Sequence, residues 1–208
     1  MNKHLQAMKT AVDNYRTAVI KARGLIAEND RLYKPEEAER ANAAVLATLK
    51  NDKNAALEAI WAAKDAGHSD AESWGQLDGS KITDDAKLLD AGAVNAEQFK
   101  GLVRKYQGNA TMLTLLGKYA ERMNGGDGGF NAVWGYGGKG NAARSAEHFD
   151  TTGLPSVSGK KAVFDRWAKT AIDLTERIGN YEPGVMGTGP DSPIVTTALE
   201  KFGADVDI

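Results

Sequence analysis

A stripe of apolar side chains runs through the first 26 residues and constrains the fold more than any other feature of the chain. Its members, which we call the seam, recur at alternating spacings of three and four: Leu5, Met8, Val12, Tyr15, Val19, Ala22 and Ile26. Because an α-helix turns once in about 3.6 residues, this spacing places all seven on one helical face. We therefore predict a long amphipathic helix whose seam packs against other helices.

A second, alanine-rich helix is predicted from about Pro35 to Ala66, ending at Gly67. Proline suits the first turn of a helix, and the glutamates that follow it suit the positive end of the helix dipole. Residues 1–67 should form a hairpin, as either a coiled coil or a plain amphipathic pair. Alanine-rich faces bury little area, so we expect the hairpin to need a third helix, a second copy or another subunit.

Shorter helices are predicted in residues 68–124. Thr83 has the position of an N-cap for a helix that stops at Gly92. Asn95 and Gln98 have the spacing of a capping box, in which each side chain accepts a hydrogen bond from the other residue's backbone. This part of the chain is therefore predicted as a short-helix module.

A C-terminal helical module is predicted over residues 141–208. Ser156 or Ser158 is expected to cap its strongest helix, and Ser192-Pro193 opens a last short one. The apolar side of the strongest helix presents Phe164, Trp167, Ala168, Ala171, Leu174 and Ile178. No segment shows the period-two alternation of a β-strand, so the predicted fold class is all-α.

Between these modules, residues 125–140 form a glycine-rich loop that carries three aromatic side chains. We predict that Phe130, Trp134 and Tyr136 bind a partner, since Trp and Tyr dominate interaction hot spots; the alternative is that they fold over the helix ends as a local lid. Gly135 to Gly140 also fits the G-x-G-x-x-G pattern. A dinucleotide site needs a strand before those glycines, and helices flank them here, so no cofactor is predicted.

Composition argues against several function classes. The 26 basic and 28 acidic residues nearly cancel, which makes nucleic-acid binding an unlikely expectation. That expectation would change only if folding gathered a set of basic residues on one face: Lys100, Arg104, Lys105, Lys118 and Arg122. Cysteine is absent, which excludes disulfides, cysteine nucleophiles and thiolate metal sites. No apolar stretch approaches the roughly 20 residues that span a bilayer.

The sequence offers no catalytic or metal-binding motif. His68, Asp70 and Glu72 lie close together, but in polar surroundings and without the spacing of known metal motifs. No nucleophile stands in a pattern with a base. We therefore assign no catalytic, cofactor-binding or metal-binding residues. The N-terminus also lacks the apolar core of a signal peptide, so secretion by that route is not expected.

Parts of the first 124 residues resemble a group of uncharacterised proteins from phages and prophages of Gram-positive bacteria. The resemblance lies in the run Trp74–Lys81, in Asp84–Leu89, and in residues 106–120 with the pattern Tyr106-x-x-Asn109-x-Thr111-Met112-Leu113 followed by Tyr119-Ala120. Proteins of that group begin with an Ala- and Glu-rich helical hairpin and are associated with virion structural modules. The resemblance does not cover residues 125–208, and it assigns no functional residues.

Together these features predict a non-enzymatic phage structural or assembly protein that acts through helix-mediated contacts. Its expected partners are copies of itself, phage capsid proteins or connector proteins. We expect it in the host cytoplasm during assembly and, as a virion component, in the particle. The alternative is an enzyme or small-ligand-binding module in which the glycine-rich loop serves as a lid.

Overall fold

The computed structural model describes residues 1–124, 149–150, 154–180 and 188–204, and the structural statements below concern these residues. They form seven α-helices, one 3-10 turn and no β-strand, which confirms the all-α prediction. The elements are α1 Lys3–Leu32, α2 Pro35–Trp74, the 3-10 turn Gly79–Lys81, α3 Asp85–Asp90, α4 Ala96–Lys105, α5 Ala110–Asn124, α6 Val157–Gly179 and α7 Pro193–Glu200. None of the helices described is long and apolar enough to cross a membrane.

Helices α1 and α2 pack against each other as the predicted hairpin. Asn2 caps α1, because its side chain accepts a hydrogen bond from the backbone N–H of the first turn. Near the turn that joins the helices, Asn29 Nδ2 donates to Asn42 Oδ1 at 2.9 Å and Asn42 Nδ2 donates to Asp30 Oδ1 at 2.8 Å. These two hydrogen bonds fix the alignment of α1 with α2 close to the turn.

The prediction that α2 ends at Gly67 is wrong, since the helix continues to Trp74. Gly67 is buried inside it, and a Cβ atom at this position would lie 2.8 Å from the ring of Phe164 in α6. That distance is shorter than any ordinary carbon contact. The glycine therefore allows α6 to approach α2 closely.

Two compact units divide the chain: residues 1–69 together with 161–208, and residues 70–160. The core of the first unit draws on α1, α2, α6 and α7, with Leu5, Met8, Val12, Tyr15, Val19, Ala56, Ile60, Ala63, Phe164, Ala168, Ala171, Leu174, Ile178, Val195, Leu199 and Phe202 buried in it. The sequence-based division, which separates 1–67 from 141–208, differs from this grouping. The reason is physical: α6 supplies the apolar face that the seam requires.

The core of the second unit is built around three aromatic rings. Phe99, Tyr119 and Phe149 lie with ring centroids 5.4 to 6.3 Å apart, and the Tyr119 hydroxyl donates to a backbone carbonyl at 2.7 Å. The predicted capping box of α4 is confirmed: Gln98 N–H donates to Asn95 Oδ1 at 2.8 Å, and Asn95 N–H donates to Gln98 Oε1 at 3.0 Å. Asn95 and Gln98 are therefore enough to predict where α4 begins.

The predicted cap at Thr83 is wrong. Helix α3 begins at Asp85, and the Thr83 hydroxyl lies 2.6 Å from the Tyr106 hydroxyl. Tyr106 in turn donates to the Asp85 carboxylate at 2.7 Å. Thr83 thus joins a side-chain network between α3 and α4. The predicted stop at Gly92 agrees with its φ of +66°, a conformation that glycine adopts without strain.

The close contact at Gly67 predicts opposite effects for two glycine-to-alanine changes. Gly67→Ala should lower the free energy of unfolding by about 1–3 kcal/mol, because the added methyl displaces the buried Phe164 ring. Gly24→Ala in α1 should raise it by about 0.5–1 kcal/mol, since no described atom from elsewhere lies within 4 Å of that Cβ position. Urea unfolding followed by circular dichroism measures both. A Gly67→Ala protein as stable as Gly24→Ala would contradict the packing role.

Candidate interaction surface of the helical hairpin

The seam lies in the core of the first unit. Six of its seven members are buried, and Ile26, the last, is partly buried. The residues that pack with it come from α6 and α7, for instance Phe164, Ile178 and Leu199. The sequence predicts that a third helix, a second copy or another subunit completes the hairpin. In the structure a third helix, α6, completes it. The seam is therefore covered within the chain along most of its length.

The three aromatic residues of the glycine-rich loop, Phe130, Trp134 and Tyr136, lie outside the described residues. Their predicted role in partner binding stays a prediction. Of residues 141–149, which begin the predicted C-terminal module, only Phe149 is described, and it is buried in the core of the second unit.

The part of the hairpin farthest from the α6 contact is rich in exposed apolar side chains. We call residues 20–49 the hairpin tip. Five large apolar residues there are 40 to 57 % exposed: Ile20, Leu25, Leu32, Tyr33 and Leu46. A single exposed apolar residue is ordinary, whereas several within one segment make that segment a candidate for contact with a partner. The tip is the first element of a candidate interaction surface.

A groove between α1 and α2 begins in the tip and runs toward the base of the hairpin. It consists of two adjoining cavities of about 500 and 210 Å³ that share Asn14, Ala18 and Asp52. Its α1 side is lined by Ala11, Asn14, Tyr15, Thr17, Ala18, Lys21, Ala22 and Leu25, and its α2 side by Ala44, Val45, Thr48, Leu49, Asp52, Ala55, Ala56 and Ala59. We call this feature the hairpin groove. Sequence analysis missed it.

The groove residues of α1 follow the same periodicity as the seam. Ala11, Asn14, Ala18, Lys21 and Leu25 are spaced by three and four, each one position before a seam residue. Such an offset places them on the neighbouring stripe of the helix. The side chains are small or polar except for Leu25, so the stripe leaves a depression beside the core.

Two charged side chains lie in the groove, Lys21 and Asp52. Both are exposed, and within the described part of the chain neither forms an ion pair or a side-chain hydrogen bond. Lys53, the neighbour of Asp52, instead bonds Glu176 of α6 at 2.7 Å. The groove thus carries one positive and one negative group that are open to a partner.

Tyr15 forms part of the groove floor and also belongs to the buried core. Burial raises the pKa of its phenol above the ordinary value, and the nearby carboxylates of Glu176 and Asp52 raise it further. The neutral form is therefore the one that this position favours.

The groove is lined by alanines, polar side chains and a few larger apolar ones, and no nucleophile in it is paired with a base. His68, considered above with Asp70 and Glu72, has its Nε2 3.0 Å from the Asp165 carboxylate of α6. Among the residues that the structure describes, no group of three or more His, Asp or Glu side chains is placed to hold a metal ion.

Two of the five basic residues considered for nucleic acid are engaged within the second unit. Lys105 Nζ lies 2.7 Å from the Asp85 carboxylate, and Arg122 donates to the Leu89 carbonyl at 2.6 Å. Both cationic side chains therefore interact with groups of this protein.

The raised pKa of Tyr15 predicts a pH effect on stability. Because the folded state holds the phenolic proton more tightly than the unfolded chain does, the contribution of Tyr15 is fully present below about pH 10 and is lost as the pH rises further. Tyr15→Phe should therefore flatten the alkaline fall in unfolding free energy, by at most about 1.4 kcal/mol per pH unit. Urea unfolding between pH 8 and pH 11 tests this, with Tyr33→Phe at an exposed position as the matched control. Equal alkaline slopes in Tyr15→Phe and the parent protein would contradict it.

No protein-family description, no curated protein and no solved structure matches the chain. The function is therefore inferred from the residues themselves and from the resemblance described above.

Proposed function

We propose that this protein is a non-enzymatic structural or assembly protein that acts through helix-mediated contacts of the α1–α2 hairpin. The observation that carries the proposal is the hairpin tip, where two helices extend beyond the core with five large apolar side chains exposed. A surface of this kind costs solubility unless a partner covers it.

The hairpin groove supports the same function. It runs from Ala11 to Leu25 along α1, which is about 21 Å at 1.5 Å per residue. That length matches four turns of a helix, and the alanines that line the groove let another backbone come close. Amphipathic helices bind grooves of this shape through apolar anchors spaced three and four residues apart.

The proposal that the protein belongs to a phage virion structural module rests on the resemblance of the first 124 residues. On that basis the partners are copies of this chain, capsid proteins or connector proteins. A small scaffold-like protein and a permanent virion component would both use the hairpin in this way.

The first test changes the apolar character of the tip. Leu46→Glu should weaken self-association, or binding to purified capsid or connector proteins of the encoding phage, by at least about tenfold, since a buried carboxylate would replace an apolar anchor. Leu88→Glu, an equally exposed leucine on α3 of the second unit, is the matched control and should leave binding unchanged. Light scattering after size exclusion and biolayer interferometry measure the two kinds of contact.

Three results would count against the proposal. One is a protein that stays monomeric at high concentration and binds neither capsid nor connector proteins. Another is equal weakening by Leu46→Glu and Leu88→Glu, which would remove the hairpin as the contact surface. The third is a rise in melting temperature with a nucleotide, metabolite or metal ion in the absence of any protein partner, which would favour the small-ligand alternative.

A further inference from the structure

We propose that the hairpin groove binds a second copy of this chain, groove to groove about a two-fold axis, so that two hairpins form a four-helix contact. This inference deepens the proposed function, on which it rests, by naming the partner and the surface. On α1 this surface lies mostly on the stripe beside the predicted seam, which the core of the first unit already covers.

The charges in the groove are arranged as a two-fold contact requires. In such a contact each surface meets an identical one, so a cation on one side of the axis must face an anion on the other. Lys21 lies on the α1 wall of the groove, in the cavity nearer the tip with Leu25, and Asp52 lies on the opposite α2 wall, where the two cavities meet beside Ala18. An axis through the middle of the groove, close to Ala18, brings each copy's Lys21 toward Asp52 of the other copy. The arrangement forms two ion pairs and leaves no charge of the groove unmatched.

The sizes of the side chains are also complementary under this symmetry. The tip end of the groove carries larger apolar groups, Leu25 and Val45, whereas the base end is lined by Ala11, Ala55 and Ala59. Rotation about the central axis places the tip end of one copy over the base end of the other. Leu25 then fills the cavity of about 210 Å³ at the base, in the manner of a knob entering a hole.

The groove's charge favours a second copy over a strongly charged partner. One lysine and one aspartate give it no net charge, so neither nucleic acid nor an acidic peptide gains attraction along its length. A self-complementary surface explains why both charges are present and why they lie on opposite walls of the groove, Lys21 on α1 and Asp52 on α2.

Charge reversal at the two positions tests the contact. Lys21→Glu alone and Asp52→Lys alone should each weaken self-association of the full chain by at least about tenfold, because every ion pair across the axis becomes a like-charge pair. An equimolar mixture of the two variants should recover it to within about threefold. In a mixed dimer both opposite-charge pairs form again, and neither variant achieves this alone.

Sedimentation equilibrium provides the dissociation constants, and circular dichroism checks the fold of each variant, since both changed residues are exposed. Recovery by mixing is specific to contact between chains, because a pair inside one chain does not respond to a second variant. A monomeric parent protein, variants that associate as tightly as the parent, or a mixture no better than its components would each overturn the proposal.

A cross-linking experiment gives an independent readout, since the chain contains no cysteine. Thr17→Cys lies beside the proposed axis and should form cross-linked dimers with a short bismaleimide. Leu32→Cys, an exposed position at the far end of the tip, should not. The reverse pattern would place the contact elsewhere.

The outcomes separate this inference from the proposed function. If the chain is monomeric but its hairpin binds capsid or connector proteins, the two-fold contact fails and the assembly function stands. If the charge-dependent dimer forms but no virion protein binds, the dimer stands and the phage assignment fails.

Discussion

The contact of α6 with the base of the α1–α2 hairpin is the interaction on which the first unit depends. Phe164 lies against Gly67, and Leu174 and Ile178 bury their side chains with the seam of α1. Complete burial of each such side chain contributes about 1.5–3 kcal/mol, which the small alanines of α2 do not supply on their own. The hairpin is therefore stable because distant sequence completes it.

Where α6 no longer contacts the hairpin, its two helices bury fewer side chains in the core. Beyond Val19 on α1 and Ala56 on α2, the buried core has few members, and the helices continue as a pair toward their turn. Alanine-rich sequence keeps them helical there with little tertiary packing, because alanine has the highest helix propensity. The Asn29–Asn42–Asp30 hydrogen bonds hold the two ends together. The tip is thus a stable helical surface that the core does not use.

The sequence predicted local features well where a few neighbouring residues determine them. The seam spacing identified α1, the asparagine and glutamine of the capping box identified the start of α4, and the all-α class followed from the absence of strand patterns. The two errors have one cause. The usual local roles of these residues predict a helix end at Gly67 and a cap at Thr83, but a ring of α6 and the phenol of Tyr106, directly after α4, determine what they do.

The groove could not be found from the seam pattern alone, although its α1 residues repeat that pattern one position earlier. A stripe of alanine, asparagine and lysine has no apolar signal, and only the distance between two helices turns it into a depression. A periodic pattern is detected from the positions of apolar residues, whereas a groove depends on the small size of the side chains that line it.

In the contact that we propose, the small side chains of the groove would serve both solubility and binding. Exposed alanines add little apolar area to the free protein, so a surface lined with them does not aggregate as a leucine-rich one would. When a partner helix approaches, the same residues let the two backbones come close, and many weak dispersion contacts form at once. In the contact that we propose, Leu25 and Val45 at one end of the groove determine the orientation of the partner, and Lys21 and Asp52 on opposite walls determine which partner binds. Affinity in such a surface comes from fit along the groove more than from any one side chain, and its specificity comes from two charges that an unrelated partner leaves unpaired.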